Sequence, residues 1–229
     1  AADQNNDKAQ YSLGHSYGNG LGVKKDYDEA FKWYKLAADQ GNAQGLYAVG
    51  WAYENGKGII KNILEAIKFY KESAAAENRQ AQTVLGWFYQ DGEYLEQNYE
   101  EAIRLFRLAA DKNHAPAQES LGNAYENGLG VEQDYKVAAG WYKLAAEQGD
   151  YIAQSSLGYL YENGLGLEKN LEEAYKWFKL SADQGYEYAQ THLEGILKRE
   201  PNLLKNISKP KKEITKDKVD TDTKVAQAL

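Results

Sequence analysis

The chain has 229 residues, 27 Lys or Arg against 34 Asp or Glu for a net charge of −7, and neither Cys nor Met. Without Cys, thiol catalysis, disulfide staples and Cys-ligated zinc are excluded, and no apolar run approaches the ~20 residues needed to span a bilayer, so a soluble chain is expected, cytoplasmic or exported. Charge is unevenly divided: residues 198–229 hold nine basic and five acidic residues, net +4, whereas 1–197 hold 18 and 29, net −11, a balance that disfavours nucleic acid and membrane surfaces and favours neutral or basic partners.

Residues 1–6, AADQNN, match Ala37 to Asn42 one period early, so the chain reads as opening at the end of a preceding unit, excised from a longer array. The period is 36: Leu13-Gly14 returns as Val49-Gly50, Leu85-Gly86, Leu121-Gly122 and Leu157-Gly158 without insertion or deletion. The units are 7–42, 43–78, 79–114, 115–150 and 151–186, followed by a half unit over 187–197 and a basic capping segment and tail over 198–229. Ala117, Leu121, Ala124 and Tyr125 share one face of a first helix, helix A, expected from about Ala117 to Asn127. Gly20, Gly56, Gly92, Gly128 and Gly164 end it and should adopt positive φ.

Helix B begins at the N-caps Asp26, Asn62, Asn98, Asp134 and Asn170, and in repeat 4 is expected from about Tyr135 to Gln148. Glu29, Glu65, Glu101 and Glu173 stand three residues later and predict a capping box that Val137 breaks in the fourth copy. Ala30, Trp33, Tyr34, Ala37 and Ala38 form the apolar stripe, which repeats at Ala138, Trp141, Tyr142, Ala145 and Ala146. Gly41, Gly149 and Gly185 end helix B; Glu77 and Asn113 take that place in the middle repeats and predict a less regular exit. Gly14 and its equivalents are expected inside the helix, kept small for packing. Beyond Glu200-Pro201, Leu203, Leu204 and Ile207 are expected to cover the open end of the last repeat, and the Lys-rich text after Ser208 has the composition of a disordered tail.

Leu13, Gly14, Tyr17, Gly20, Gly22, Asp26, Ala30, Trp33, Tyr34, Ala37, Ala38 and Gly41 together spell a motif that closely resembles the Sel-one-like repeat (SLR) family, a relative of the tetratricopeptide repeats. The resemblance covers Asp7 to about Leu197, with departures at Glu72, Tyr94 and Leu105. It implies an all-α fold, a right-handed α/α superhelical solenoid of antiparallel helix pairs, here five 36-residue repeats plus a half repeat, and a protein that binds other proteins.

Nothing in the residues points to catalysis. His15, His114 and His192 occupy three different repeat positions, and no acid is matched with a base. No catalytic residue, metal site or cofactor is expected; ENGLG lacks the spaced acidic ligands of a calcium loop. His114 stands in the helix N-cap register of Asn42 and Asn78, so a loop or capping role is expected of it.

On helix A the side opposite the core should line the inner, concave surface. Its residues are Tyr11 and His15; Tyr47, Trp51 and Glu54; Thr83, Trp87 and Gln90; Glu119, Asn123 and Glu126; and Ser155, Tyr159 and Glu162. Trp51 and Trp87 share one register in adjacent repeats, where a polar residue is expected, so they are either exposed anchors or rings packed on the next repeat. The function expected is a non-catalytic scaffold gripping a protein or peptide segment at Tyr11, His15, Tyr47, Trp51, Glu54, Trp87, Gln90, Asn123, Glu126, Tyr159 and Glu162. The alternatives are a carbohydrate- or cell-wall-directed binding or hydrolytic protein using the same aromatics, and a structural spacer. The basic tail, Lys209 to Leu229, is a candidate occupant of its own groove or a neighbouring copy's.

Overall fold

The computed structural model describes residues 6–204, all of whose regular structure is helical. The chain divides into two units, Ala1–Lys112 and Asn113–Leu229. The first holds α1 (Asp7–Asn19), α2 (Tyr27–Ala38), α3 (Ala43–Asn55), α4 (Ile63–Ala75), α5 (Arg79–Asp91) and α6 (Tyr99–Ala110). The second holds α7 (Ala115–Asn127), α8 (Tyr135–Glu147), α9 (Tyr151–Asn163), α10 (Leu171–Ala182) and α11 (Glu187–Arg199). Each repeat is therefore one helix A and one helix B, as the period predicts. Helix α7 starts two residues before the expected Ala117, in the same register as α1, α3, α5 and α9, and its first turn accommodates Pro116 because the missing N–H costs nothing there.

Each pair is an antiparallel hairpin. In repeat 2, Tyr53 near the end of α3 meets Asn62 before α4, while Ala43 at the start of α3 receives the Ser73 hydroxyl from the last turn of α4 at 2.7 Å. Asp26, Asn62, Asn98, Asp134 and Asn170 cap helix B as expected, each accepting from amides of the first turn. The reciprocal half of the capping box takes a different form. The N-cap amides donate to the carbonyls of Tyr17, Tyr53, Tyr89, Tyr125 and Tyr161 at 2.8–3.0 Å, which ties the two helices of every pair together. The Glu side chains turn to a cation one turn on: Glu29 to Lys32, Glu65 to Lys68, Glu101 to Arg104 and Glu173 to Lys176. Repeat 4 lacks both members, Val137 and Gly140, so no broken cap remains there.

The exits from helix B are more uniform than expected. Glu77 (φ 61°) and Asn113 (φ 54°) adopt the same left-handed conformation as Gly41 (φ 79°), Gly149 (φ 93°) and Gly185 (φ 91°). The amide of Asn78 closes onto Ser73 just as that of Asn42 closes onto Ala37. The turn dictates the conformation and the side chain bears its cost, about 1 kcal/mol for a residue with a Cβ. At the start of α7 His114 holds the N-cap position without a side-chain cap bond.

Leu105 replaces the Trp of Trp33, Trp141 and Trp177, and a surface cavity of about 570 Å³ opens there between α4 and α6, floored by Gln82, Leu85 and Tyr89. At the other end of the chain Leu203 is buried against Phe178 and Ile196, covering α10 and α11, while Leu204 is exposed. Ile207 lies outside the described residues.

The helical glycines are spacers. A Cβ on Gly122 would stand 2.5 Å from the Tyr142 ring, and one on Gly14, Gly50 or Gly86 would stand 2.4–2.8 Å from Tyr34, Tyr70 or Phe106. Gly140, in the middle of α8, has nothing within 4 Å of that position. Opposite signs follow: Gly122→Ala should cost ~1–3 kcal/mol through ring displacement, and Gly140→Ala should stabilise by up to ~1 kcal/mol by restricting the unfolded chain. Gly128, at φ 69° with only distant neighbours, should lose ~1 kcal/mol on Gly128→Ala from backbone strain alone. Chemical denaturation of the three variants checks the ordering, and equal effects at Gly122 and Gly140 would contradict it.

Candidate functional site

In the first unit, α1, α2 and α3 enclose a groove of about 360 Å³ whose walls are aromatic: Tyr11, His15, Tyr34, Tyr47 and Trp51, with Tyr27 at one end. Tyr11 sits 5.8 Å from the Tyr34 ring and 6.3 Å from His15. Burial, with Tyr11 and Tyr27 nearby, pushes the Tyr34 hydroxyl up to about 12, so it stays protonated and can donate. Trp51 is half-buried in this wall; Trp87, in the same register of the next repeat, is 39% exposed.

One register expected on the inner line serves the fold as well. Glu54 accepts from the Tyr70 hydroxyl at 2.5 Å, and Glu126 accepts from Tyr142 at 2.5 Å. Both phenols are driven up, Tyr70 by burial and then the Glu54 bond, Tyr142 by burial and the charge of Glu126. Gln90 stands where the ring is Phe106, without a hydroxyl, and its carbonyl receives Gln97 at 2.9 Å. Glu162 faces Phe178 and is buried; His192 Nδ1 lies 2.7 Å from it and Arg199 donates to its other oxygen. Thr83 and Ser155, also expected on the inner line, are buried.

In the second unit a groove of about 340 Å³ is lined by Glu126, Ser155, Ser156, Tyr159, Tyr186 and Tyr188. Asn123 is half-buried on the same helix. Glu119 is half-buried, and desolvation, then Asp150 and Glu126, raises its carboxyl from 4.5 to about 7. Tyr27, Tyr186 and Tyr188 are not expected at the site from sequence, and Tyr34 is expected only in the core. The available signal was Tyr186, an aromatic in the N-cap register of Asn42, Asn78 and Asp150, where it makes no side-chain cap bond. Residues 1–5 and the proposed tail, Lys209 to Leu229, lie outside the described residues.

Among the described residues no three His, Asp or Glu side chains gather into a metal-binding group, and no helix is long and apolar enough to cross a membrane. Antiparallel helix pairs recurring at a 36-residue period define a helical-repeat protein. The chain belongs to the Sel1 repeat family, whose pattern matches residues 7–42, 43–78, 79–114, 115–150 and 152–186. No protein of curated function matches it. A protective antigen with an SLR fold from uropathogenic Escherichia coli is 38% identical with a TM-score of 0.76; the match covers 84% of this chain and 41% of the antigen's. A Sel1 repeat protein of Oxalobacter formigenes is 32% identical with a TM-score of 0.79, over 92% of this chain and 88% of its own. An immunity protein of Pseudomonas aeruginosa is 25% identical with a TM-score of 0.51, over 91% and 76%.

The raised carboxyl of Glu119 has a consequence for stability. The unfolded chain releases this proton near 4.5 and the folded chain holds it to about 7, so stability falls as pH rises between the two. Glu119→Gln removes that loss. The variant should match the parent near pH 4 and exceed it at pH 8 by up to ~3 kcal/mol, an upper bound because solvent reaches this group. Thermal unfolding at both pH values reads it; equal Tm at pH 8 would contradict the assignment.

Proposed function

We propose that this protein is a non-catalytic scaffold that holds a segment of a partner protein on its helix-A face, with the aromatic groove of α1–α3 as the principal seat and Trp87 continuing the grip. Sel1 repeat proteins generally serve as protein–protein interaction scaffolds. The observation that carries the reading here is the groove itself, with Tyr11, His15, Tyr34, Tyr47 and Trp51 lining about 360 Å³. Rings with a polar edge bury much area for few frozen torsions, and adjacent A helices repeat them along one face. Tyr11 and Tyr34 keep their hydroxyl protons, so the groove offers donors to a backbone carbonyl as well as flat apolar surface. The acidic balance of residues 1–197 favours a neutral or basic partner.

The test pairs capture from the native host with substitution. Wild-type protein should retain a partner whose binding segment, made as a synthetic peptide, loses at least ~30-fold in affinity to the Trp51→Ala, Trp87→Ala double variant, the scale of two moderate hot spots. Circular dichroism confirms that the variant is folded. A peptide bound equally by both proteins would overturn the groove as the seat, and retention of glycan in place of protein would replace the scaffold reading with a carbohydrate-directed one.

A further inference from the structure

In repeats 2 and 4 the ring that closes the helix pair gives its hydroxyl proton to a glutamate on helix A: Tyr70 to Glu54 and Tyr142 to Glu126, each at 2.5 Å. Repeat 1 keeps the tyrosine and lacks the acid. Tyr34 holds the ring position, but the glutamate register is Gly18, where a Cβ would stand 3.2 Å from the Tyr34 oxygen. Repeats 3 and 5 avoid the mismatch, because their rings, Phe106 and Phe178, have no hydroxyl to satisfy.

Three observations say what belongs beside Tyr34. Its side chain is buried, at 8% exposure, yet its hydroxyl has no hydrogen-bond partner among the described residues. That hydroxyl is not sealed in: the unpartnered side-chain atoms cut off from solvent belong to Gln82, Trp141 and Ser155, whereas Tyr34 and Gly18 both line the α1–α3 groove. The local charge is also opposite to that of the chain as a whole. Among the described residues no Asp or Glu lines this groove, and at its Tyr27 end Lys25 Nζ and Lys57 Nζ lie 4.8 and 5.1 Å from the ring centre. Neither lysine forms an ion pair among the described residues. A phenol that burial keeps protonated, with uncompensated ammonium groups nearby, is a donor set for a carboxylate, and the rings of Tyr11 and Tyr47 can cover the methylenes that carry it.

We propose that the α1–α3 groove is a subsite for an acidic side chain of the partner segment, whose carboxylate accepts from Tyr34 in the place that Glu54 and Glu126 fill in their own repeats. This deepens the scaffold reading and rests on it, since the carboxylate is taken to belong to a bound protein. A segment that runs on to Trp87 passes through the groove without ending there, which selects a side chain over a chain terminus. The acidity of residues 1–197 favours a partner that is neutral or basic overall; the groove reads one residue of it.

The probe is Nα-acetyl-glutamate N-methylamide, titrated against the full chain by NMR with labelled tyrosine and backbone amides. The glutamine analogue is its uncharged isostere, and Nα-acetyl-alanine supplies a chain-end carboxylate. The glutamate probe should give saturable shifts at Gly18, Tyr34 and Trp51, and the glutamine probe should bind at least ~10-fold more weakly. Tyr34→Phe should weaken glutamate binding by about 10-fold. Phe106 and Phe178 show that this ring position accepts phenylalanine, and retained amide dispersion checks that the variant is folded. Gly18→Glu returns the carboxylate from within the chain and should abolish saturable binding in the groove. Equal response to glutamine, indifference to Tyr34→Phe, or shifts scattered over the surface lysines would each overturn the subsite. Tighter binding of Nα-acetyl-alanine would overturn the side-chain assignment in favour of a chain terminus. The two readings fail separately: a partner released by the Trp51, Trp87 double variant but indifferent to Gly18→Glu leaves the scaffold standing without its acidic subsite. Probe binding that Gly18→Glu abolishes, with no protein partner sensitive to the Trp pair, keeps the subsite and removes the scaffold reading instead.

Discussion

An aromatic ring laid against bare glycine backbone holds each helix pair closed, and the remaining packing is arranged around that contact. Tyr34, Tyr70, Phe106, Tyr142 and Phe178 on the B helices face Gly14, Gly50, Gly86, Gly122 and Gly158 on the A helices, at separations that leave no volume for a methyl group at the first four and only a tight fit, 3.0 Å from the ring, at Gly158. The contact needs two residues of extreme and opposite size in fixed register. It brings the helices close enough for the N-cap amide of B to reach a tyrosine carbonyl of A, so backbone hydrogen bonding and ring burial reinforce one another.

The same ring decides what the neighbouring face can display. Where the ring is tyrosine its hydroxyl emerges beside the next inward position of helix A, and a glutamate there is bound by it, as at Glu54 and Glu126. A carboxylate so tethered is fixed in direction and keeps one oxygen for other work. Glu119, about two turns before Glu126 on α7, makes no such bond, and burial with Asp150 and Glu126 nearby raises its carboxyl. The rings that close the hairpin therefore also set which carboxylates are held in place.

The sequence revealed the fold through repetition. The period, the helix B caps and the left-handed glycines were each legible because several copies agreed, and a weak local preference repeated five times becomes a strong one. What it concealed was pairing between the two helices of a copy. Glu29 three residues after a cap has the spacing of a capping box, and only the tertiary approach of Tyr17 shows that the cap amide is already occupied, leaving the glutamate for Lys32. Glu77 at a glycine position suggested an irregular exit, because sequence reports the cost of a conformation and not whether the surrounding helices impose it. The site was partly legible: Trp51 and Tyr11 follow from helical projection, whereas Tyr34 was assigned to the core and also forms a groove wall, and Glu119 becomes distinctive only once its lack of a counter-ion can be seen.

The ion cluster at Glu162 governs how this array can be lengthened. Its ring partner is Phe178, which offers no hydroxyl, so the carboxylate depends on His192 and Arg199 from α11. The corresponding positions of complete copies carry Ser, Ala or Val and Asn or Asp, none of which brings a positive charge. A designer who spliced a further standard repeat after residue 186 would strand a buried anion, even though the helices matched and the period was kept. Changing Phe178 to Tyr in the same step would restore the internal arrangement of repeats 2 and 4 and convert a terminal unit into a transmissible one. Modularity in this chain is thus conditional: a repeat can be moved only together with the chemistry that its neighbour supplies.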